Sequence, residues 1–330
     1  MIDGHIHFAT SLDQKRLEKI IEEYELNGVA LQCIPKGGIL PVEEDAFLFK
    51  KYCSVPVYIF GGIDRKIYLK EEKKIGSSLV DEAKKLMDRG CDGIKMLEGK
   101  PNVRKNWPIP DFDLPVWEPY WDYVEKEQIP VYMHVNDPEE FWDAEHVSEF
   151  AKKAGWFYDD SYVNNEDQYR QILNVLERHP KLKILFPHFF FLSKQLNRLR
   201  CILDKFSNVR IDITPGVELF LNLSDEIEEA RLFFDTYQNR ILYGTDIGAR
   251  QVIQKDPVLL SMEESRDRIS LITRFLEEKG NYKLAPNAYY AGPEIKEMNG
   301  LGLDQSILRK IYQDNFLEFL KMDQNRQITC

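Results

Sequence analysis

Met1-Ile-Asp-Gly-His-Ile-His-Phe8 opens the chain and reads as a β-strand. Side chains on a strand alternate between its two faces, so His5 and His7 project from the same side. Two imidazoles a single pleat apart suit joint capture of one metal ion. The stretch has neither the basic leader nor the long apolar run of a secretion signal, so none is expected here.

Beyond it, apolar segments of strand length alternate with amphipathic helical segments. The expected strands are 1–8, 28–34, 55–63, 91–97, 129–135, 183–189, 208–214 and 240–246. Helical patterns lie between them near 13–26, 42–52, 77–89, 116–127, 166–179, 193–206 and 224–238. Over 13–26, Leu17, Ile20, Ile21 and Tyr24 recur at three- and four-residue steps, the stripe of a helix with one buried face. Strands alternating with helices point to parallel βα units, and eight of them point to a closed (β/α)₈ TIM barrel rather than an open sheet. No repeat or linker justifies a cut, so residues 1–330 are expected to form one barrel domain.

Three connections exceed what a barrel needs: 98–115, 136–165 and 247–304, the last as 247–262 together with 280–304. The first is proline-rich and should be stiff and extended. The second is acidic and aromatic, with a short helix around 144–154. All three leave C-terminal ends of strands, the active-site face of a barrel, and should wall or cover one pocket. The segment 305–321 reads as a helix packing on the outside.

At 43% hydrophobic and 30% charged, the chain has the composition of an ordinary globular protein. A net charge of −11 without a basic stretch argues against a nucleic-acid partner. No apolar run approaches the roughly 18 residues of a membrane span. Cys33, Cys53, Cys91, Cys201 and Cys330 are odd in number, scattered and without CxxC. That pattern fits reduced thiols in a cytoplasm rather than a disulfide framework.

His134 closes the fifth strand in Val-Tyr-Met-His-Val, His188 the sixth in Leu-Phe-Pro-His-Phe, and Asp246 the eighth in Tyr-Gly-Thr-Asp. Barrel enzymes place catalytic groups at such positions. A lone histidine at a strand end is more often a hydrogen-bonded core or rim residue. The conjunction carries the weight: of six histidines, four fall at expected C-terminal strand ends. His146 lies in the insertion after strand five, and His179 precedes Pro180 at a helix end, where it reads as structural. On closure strands eight and one become neighbours, bringing Asp246 to His5 and His7. A nitrogen-rich set with one carboxylate suits zinc, or manganese, iron or cobalt.

Taken together, His-x-His at the first strand, histidines closing strands five and six, and aspartate closing strand eight resemble the signature of the amidohydrolase superfamily. The Asp3-Gly4-His5-Ile6-His7 start and the Tyr243-Gly244-Thr245-Asp246 ending look most like its amidohydrolase-related branch, which includes aminocarboxymuconate semialdehyde decarboxylase, resorcylate-type decarboxylases and assorted hydrolases. The resemblance covers residues 1–250 and implies His5, His7 and Asp246 as metal ligands, His134 as a further ligand, and His188 as the acid/base histidine. Asp246 could instead carry the proton from nucleophile to leaving group, and the choice of base stays open.

Lys95, in Gly-Ile-Lys-Met on strand four, stands where binuclear members carry a carbamylated lysine; the decarboxylase-like members lack that bridge. Three readings compete: a carbamylated bridge to a second ion, an ammonium group holding a substrate carboxylate, or an outward-facing lysine. The second is preferred, because one metal is usual in the related branch. Arg65 and Arg250 are candidate carboxylate clamps, though most surface arginines are merely solvated. Trp107, Trp117 and Tyr132 are candidate apolar lining, although aromatics more often simply pack. Gly37-Gly38 is a turn signal without phosphate-loop spacing, so no organic cofactor is assigned.

The expected activity is metal-dependent hydrolysis of an amide, ester or lactone in a small, carboxylate-bearing substrate. The alternative is non-oxidative decarboxylation of an aromatic or unsaturated acid on the same site. A third reading is a non-catalytic metal- or small-molecule-binding barrel, against which stands the spare histidine, since structural zinc sites are closed by four ligands. A homodimer follows only from the resemblance.

Overall fold

Eight parallel strands pair strictly in chain order, β1 (Ile2–His7), β2 (Gly28–Gln32), β3 (Val57–Gly62), β4 (Gly93–Gly99), β5 (Val131–Val135), β6 (Ile184–Phe186), β7 (Val209–Asp212) and β8 (Ile241–Leu242). This computed structural model describes residues 1–8, 10–34, 43–216, 218–249, 260–285 and 294–321. The segment after β8 returns to β1: Gly4 N–H donates to Tyr243 O at 3.0 Å, Asp246 N–H to His5 O at 2.8 Å, and His7 N–H to Ile247 O at 2.8 Å. The barrel is therefore sealed by a seam of backbone hydrogen bonds. Buried Asp3 reinforces it, accepting from the Thr245 hydroxyl at 2.6 Å and the Thr245 N–H at 3.1 Å.

The strands read as near-continuous apolar runs because both faces are covered, as parallel sheets require. Helices cover the outside through one apolar stripe each; Gln14–Glu23 buries Leu17, Ile20 and Ile21. Asn164 starts the helix Asn165–Arg178 by accepting from the N–H groups of Glu166 and Asp167. Inside the barrel, Ile2, Ala30, Phe60, Tyr132, Leu185 and Leu242 form an apolar layer together with Phe316 and Phe319. Pairing of β1 with β2 slips between Asp3 and Ile6. The irregularity explains how Ile2 joins the internal layer while His5 and His7, of the opposite parity, also face inward.

Several expectations need correction. The C-terminal helical run Gln305–Arg309, Lys310–Asp314 and Asn315–Leu320 does not simply pack outside, because Phe316 and Phe319 plug the barrel's N-terminal end. Its middle turn is a π-helix. Residues 98–115 are not extended throughout: β4 runs on to Gly99, and Pro101 opens a short helix, Pro101–Asn106, from the first helical turn, where its missing N–H costs nothing. The helix expected over 224–238 is two, Leu219–Asp225 and Ile227–Thr236. The part 280–304 carries an antiparallel hairpin, β9 (Lys279–Leu284) with β10 (Lys296–Leu301), and the helix Met262–Glu277 runs between the two parts of that connection. Among the described residues no helix is long and apolar enough to cross a membrane.

Candidate metal centre

His5 and His7 on β1 and Asp246 after β8 offer donor atoms that all lie within 4.8 Å of one another, and all three residues are buried. His7 Nε2 is 3.0 Å from Asp246 Oδ1, and His5 Nε2 is 3.7 Å from the same oxygen. Asp246 takes a left-handed backbone, φ 58°, which turns its carboxylate back over the seam. Gly244 allows the close approach: a Cβ there would lie 2.7 Å from His5 Cβ. His7 Nδ1 is buried without a hydrogen-bond partner. Two imidazoles and one carboxylate, each offering one donor atom at a strand-end face, are a set that fits a divalent cation.

The surroundings favour neutral imidazoles, the metal-binding form. Burial, with the nearby Lys95 charge, pushes the His5 imidazolium well below its ordinary range. Burial also lowers His188, to about 3. It would raise the Asp246 carboxyl, but the His7 hydrogen bond and the Arg268 charge prevail and hold it well below the usual range. Arg268 reaches in from Met262–Glu277, donating from Nη1 to Asp246 Oδ2 at 3.1 Å.

His188 faces the donor set, its ring 5.8 Å from that of His5. It opens a turn in which four successive residues, His188 to Phe191, hold φ of 55–57°. Such left-handed runs of L-residues cost roughly 1–2 kcal/mol per residue. Packing holds the turn: Phe190 stacks on Phe186 at 4.1 Å, Phe191 on His188 at 5.0 Å, and Tyr169 OH donates to Phe190 O at 2.9 Å.

The structure does not bring His134 into the three-donor set. Its ring lies 5.2 Å from His188, and its Nε2 is 3.3 Å from Asp137 Oδ1. Asp137 is held at 2.6 and 2.7 Å by Lys100 Nζ and at 2.5 Å by Tyr158 OH. Lys95 points inward, 2% exposed, its Nζ 3.0 Å from His5 Nε2. Burial lowers its ammonium to about 8. Arg65 is buried beside Glu98, with Nε 4.0 Å from Oε1. Trp107 is half-buried against the main core, Trp117 is wholly inside it, and Tyr132 sits edge-on to His5 at 5.7 Å. Arg250 and Gly37-Gly38 lie outside the described residues. His179 is bound to Glu118 at 3.1 Å, while His146 is exposed and bound to Asp143 at 2.6 Å.

Sequence reasoning missed Asp212, Arg268 and the Lys100–Asp137 pair. Asp212 had the same signal as Asp246, a carboxylate ending an apolar strand (Val-Arg-Ile-Asp). Arg268 gave none, because only the fold returns its helix over the mouth.

Fold and site define the class: an α/β-barrel enzyme whose mouth gathers histidines and an aspartate from its first and last strands. The chain belongs to the amidohydrolase family, whose model matches residues 75–321. The His5 and His7 motif lies ahead of that span. No curated protein matches the chain by sequence. Among solved structures it is similar to the uncharacterized TIM-barrel protein Bb4693 from Bordetella bronchiseptica (14% identity, 97% and 98% of the two chains, TM-score 0.56). It is also similar to 2,6-dihydroxybenzoate decarboxylase from Rhizobium (15%, 97% and 98%, 0.53). A third is dihydroxybenzoic acid decarboxylase from Polaromonas sp. JS666 with bound manganese and the inhibitor 2-nitroresorcinol (13%, 100% and 99%, 0.55). At such identities the likeness is one of fold.

Proposed function

We propose that the chain is a metal-dependent hydrolase acting on an amide, ester or lactone in a small substrate that carries a carboxylate. The observation that carries the reading is the buried His5, His7 and Asp246 set facing His188 across the barrel mouth. A divalent cation at these donors supplies Lewis acidity and lowers the pKa of water bound to it towards neutrality. Zinc is the ion proposed, since two imidazoles and one carboxylate match its preferred donors.

His188 is the proposed base. It takes a proton from the attacking water on Nε2 and returns it to the departing nitrogen or oxygen. Lys95 holds the substrate carboxylate beside His5. Arg268 keeps Asp246 ionised and oriented. His134 forms the wall beside His188, with Asp137 fixing its ring. Arg65 already faces Glu98 and is the weaker clamp. The scattered cysteines, of which Cys33, Cys53, Cys91 and Cys201 are free, fit a cytoplasmic protein. A homodimer is part of the proposal by resemblance alone.

Decarboxylation of an aromatic or unsaturated acid is the second reading, favoured by the buried Lys95 cation and by the decarboxylases among the fold neighbours. Protein purified without chelator separates the two. Cleavage of a carboxylate-bearing lactone, ester or amide that stops on chelation and returns with zinc supports hydrolysis. Carbon dioxide release from hydroxybenzoates, with no cleavage of the first panel, refutes it. His188→Ala should abolish turnover with bound metal retained; loss of the metal would remove His188 from the base role.

A further inference from the structure

Asp212, at the end of β7, is fully buried, and neither the proposed hydrolysis nor the donor set uses it. Its Oδ2 lies 2.8 Å from His5 Nδ1. Its Oδ1 accepts the His188 N–H at 2.8 Å, the Thr214 N–H at 3.0 Å and the Thr214 hydroxyl at 2.5 Å. An ionised carboxylate only accepts, and both of its oxygens are engaged here.

The chemistry of these partners fixes where protons sit. A carboxylate can only accept, so His5 carries its hydrogen on Nδ1. On the other side of the same ring stands the Lys95 ammonium, a donor, 3.0 Å from Nε2. Both neighbours therefore select the same tautomer. The Thr214 hydroxyl spends its proton on Asp212, which leaves its oxygen to accept from His188 Nδ1 at 3.1 Å. The Thr214 carbonyl, 3.3 Å from the same nitrogen, can also only accept. His188 is thus Nδ1–H as well. Asp212 further grips the backbone of the first residue in the left-handed turn, the point where the chain needs an anchor most.

We infer that Asp212 is a positioning residue that, directly and through Thr214, holds His5 and His188 as Nδ1–H tautomers, leaving the Nε2 of each as a lone-pair donor. His134, bound to Asp137 through Nε2, has the opposite arrangement. One carboxylate thereby prepares a cation ligand and a base together. The inference rests on the proposed function for the use of those lone pairs, but not for their orientation.

The test has two parts. Nitrogen-15 imidazole spectra of metal-free wild-type protein should show His5 and His188 protonated on Nδ1; protonation on Nε2 at either residue overturns the inference. Asp212→Asn has one acceptor oxygen where two are needed, so it cannot serve both histidines. It should retain its far-ultraviolet circular dichroism and bind zinc about 10- to 100-fold more weakly in chelator competition. A folded variant that binds zinc within twofold of wild type overturns the inference. Should the variant not fold, the wild-type spectrum decides. Thr214→Val should shift the His188 signals and spare those of His5. Wild-type protein that binds no zinc would sink the metal reading and leave the tautomer test standing.

Discussion

At the scale of single residues, Lys95 carries the sharpest consequence. Its Nζ meets His5 Nε2 at 3.0 Å, and among the described residues no carboxylate pairs with it within 4.0 Å. Under the proposed function this buried ammonium holds the substrate carboxylate. Lys95→Ala should leave the metal content unchanged, at about one ion per chain for a mononuclear site. The KM for a carboxylate-bearing substrate should rise at least tenfold, with a smaller change in kcat. Elemental analysis beside steady-state kinetics checks this, and a metal content of two that falls in the variant would instead establish a carbamylated bridge. His134→Ala makes the companion case: metal content should persist, because His134 lies outside the set of His5, His7 and Asp246 and its Nε2 is 3.3 Å from Asp137 Oδ1. The strand-end histidines and Asp246 were legible in the sequence because four of the six histidines fall at strand ends and closure brings strand eight beside the His5 and His7 strand; Asp212 ends its strand in the same way but has no such neighbour in the sequence pattern. Asp137 was not, because its importance comes from Lys100 and Tyr158, which only the folded insertions bring to it.

At the scale of elements, the eight strands were legible because parallel strands covered on both faces are largely apolar. The hairpin was not. β9, Lys-Gly-Asn-Tyr-Lys-Leu, buries only Tyr282 and Leu284 and reads as a polar loop. The turn His188–Phe191 was equally hidden, since nothing in His-Phe-Phe-Phe announces positive φ. Its energetics can be weighed. Phe190→Gly relieves about 1–2 kcal/mol of left-handed strain, but deletes a fully buried aromatic whose truncation costs roughly 3–5 kcal/mol. Packing should win, with the variant less stable by about 1–4 kcal/mol in urea unfolding; a more stable variant would show that strain dominates. The Lys100–Asp137 pair joins the end of β4 to the insertion after β5. Removing one partner of a buried pair leaves the other uncompensated, so Lys100→Met should cost about 3–5 kcal/mol. Asp137 is bound to His134, so the same variant should also disturb the pocket wall, seen as a changed His134 signal.

For the whole molecule, the decisive feature is where the chain closes. Two of the three donors come from β1 and the third follows β8, so the donor set straddles the seam that turns a sheet into a barrel. Three backbone hydrogen bonds and the Asp3–Thr245 contacts hold that seam from the protein side. A cation bound by both flanks cannot be kept by the unfolded chain, so it should stabilise the barrel as a whole. Linkage gives the size: a free concentration one hundred times Kd adds about 2.7 kcal/mol. Chelation should therefore lower the thermal midpoint, and added zinc should restore it in a concentration-dependent way. His7→Ala should unfold at a midpoint that no longer responds to zinc. Phe316→Ala offers the contrast, because it opens the plug at the far end of the barrel, where a buried phenylalanine is worth roughly 3–5 kcal/mol. Its midpoint should fall by the same amount with and without zinc. A zinc response that survives in His7→Ala would move the cation away from the seam, and with it the assignment of β1 and Asp246 as its holders.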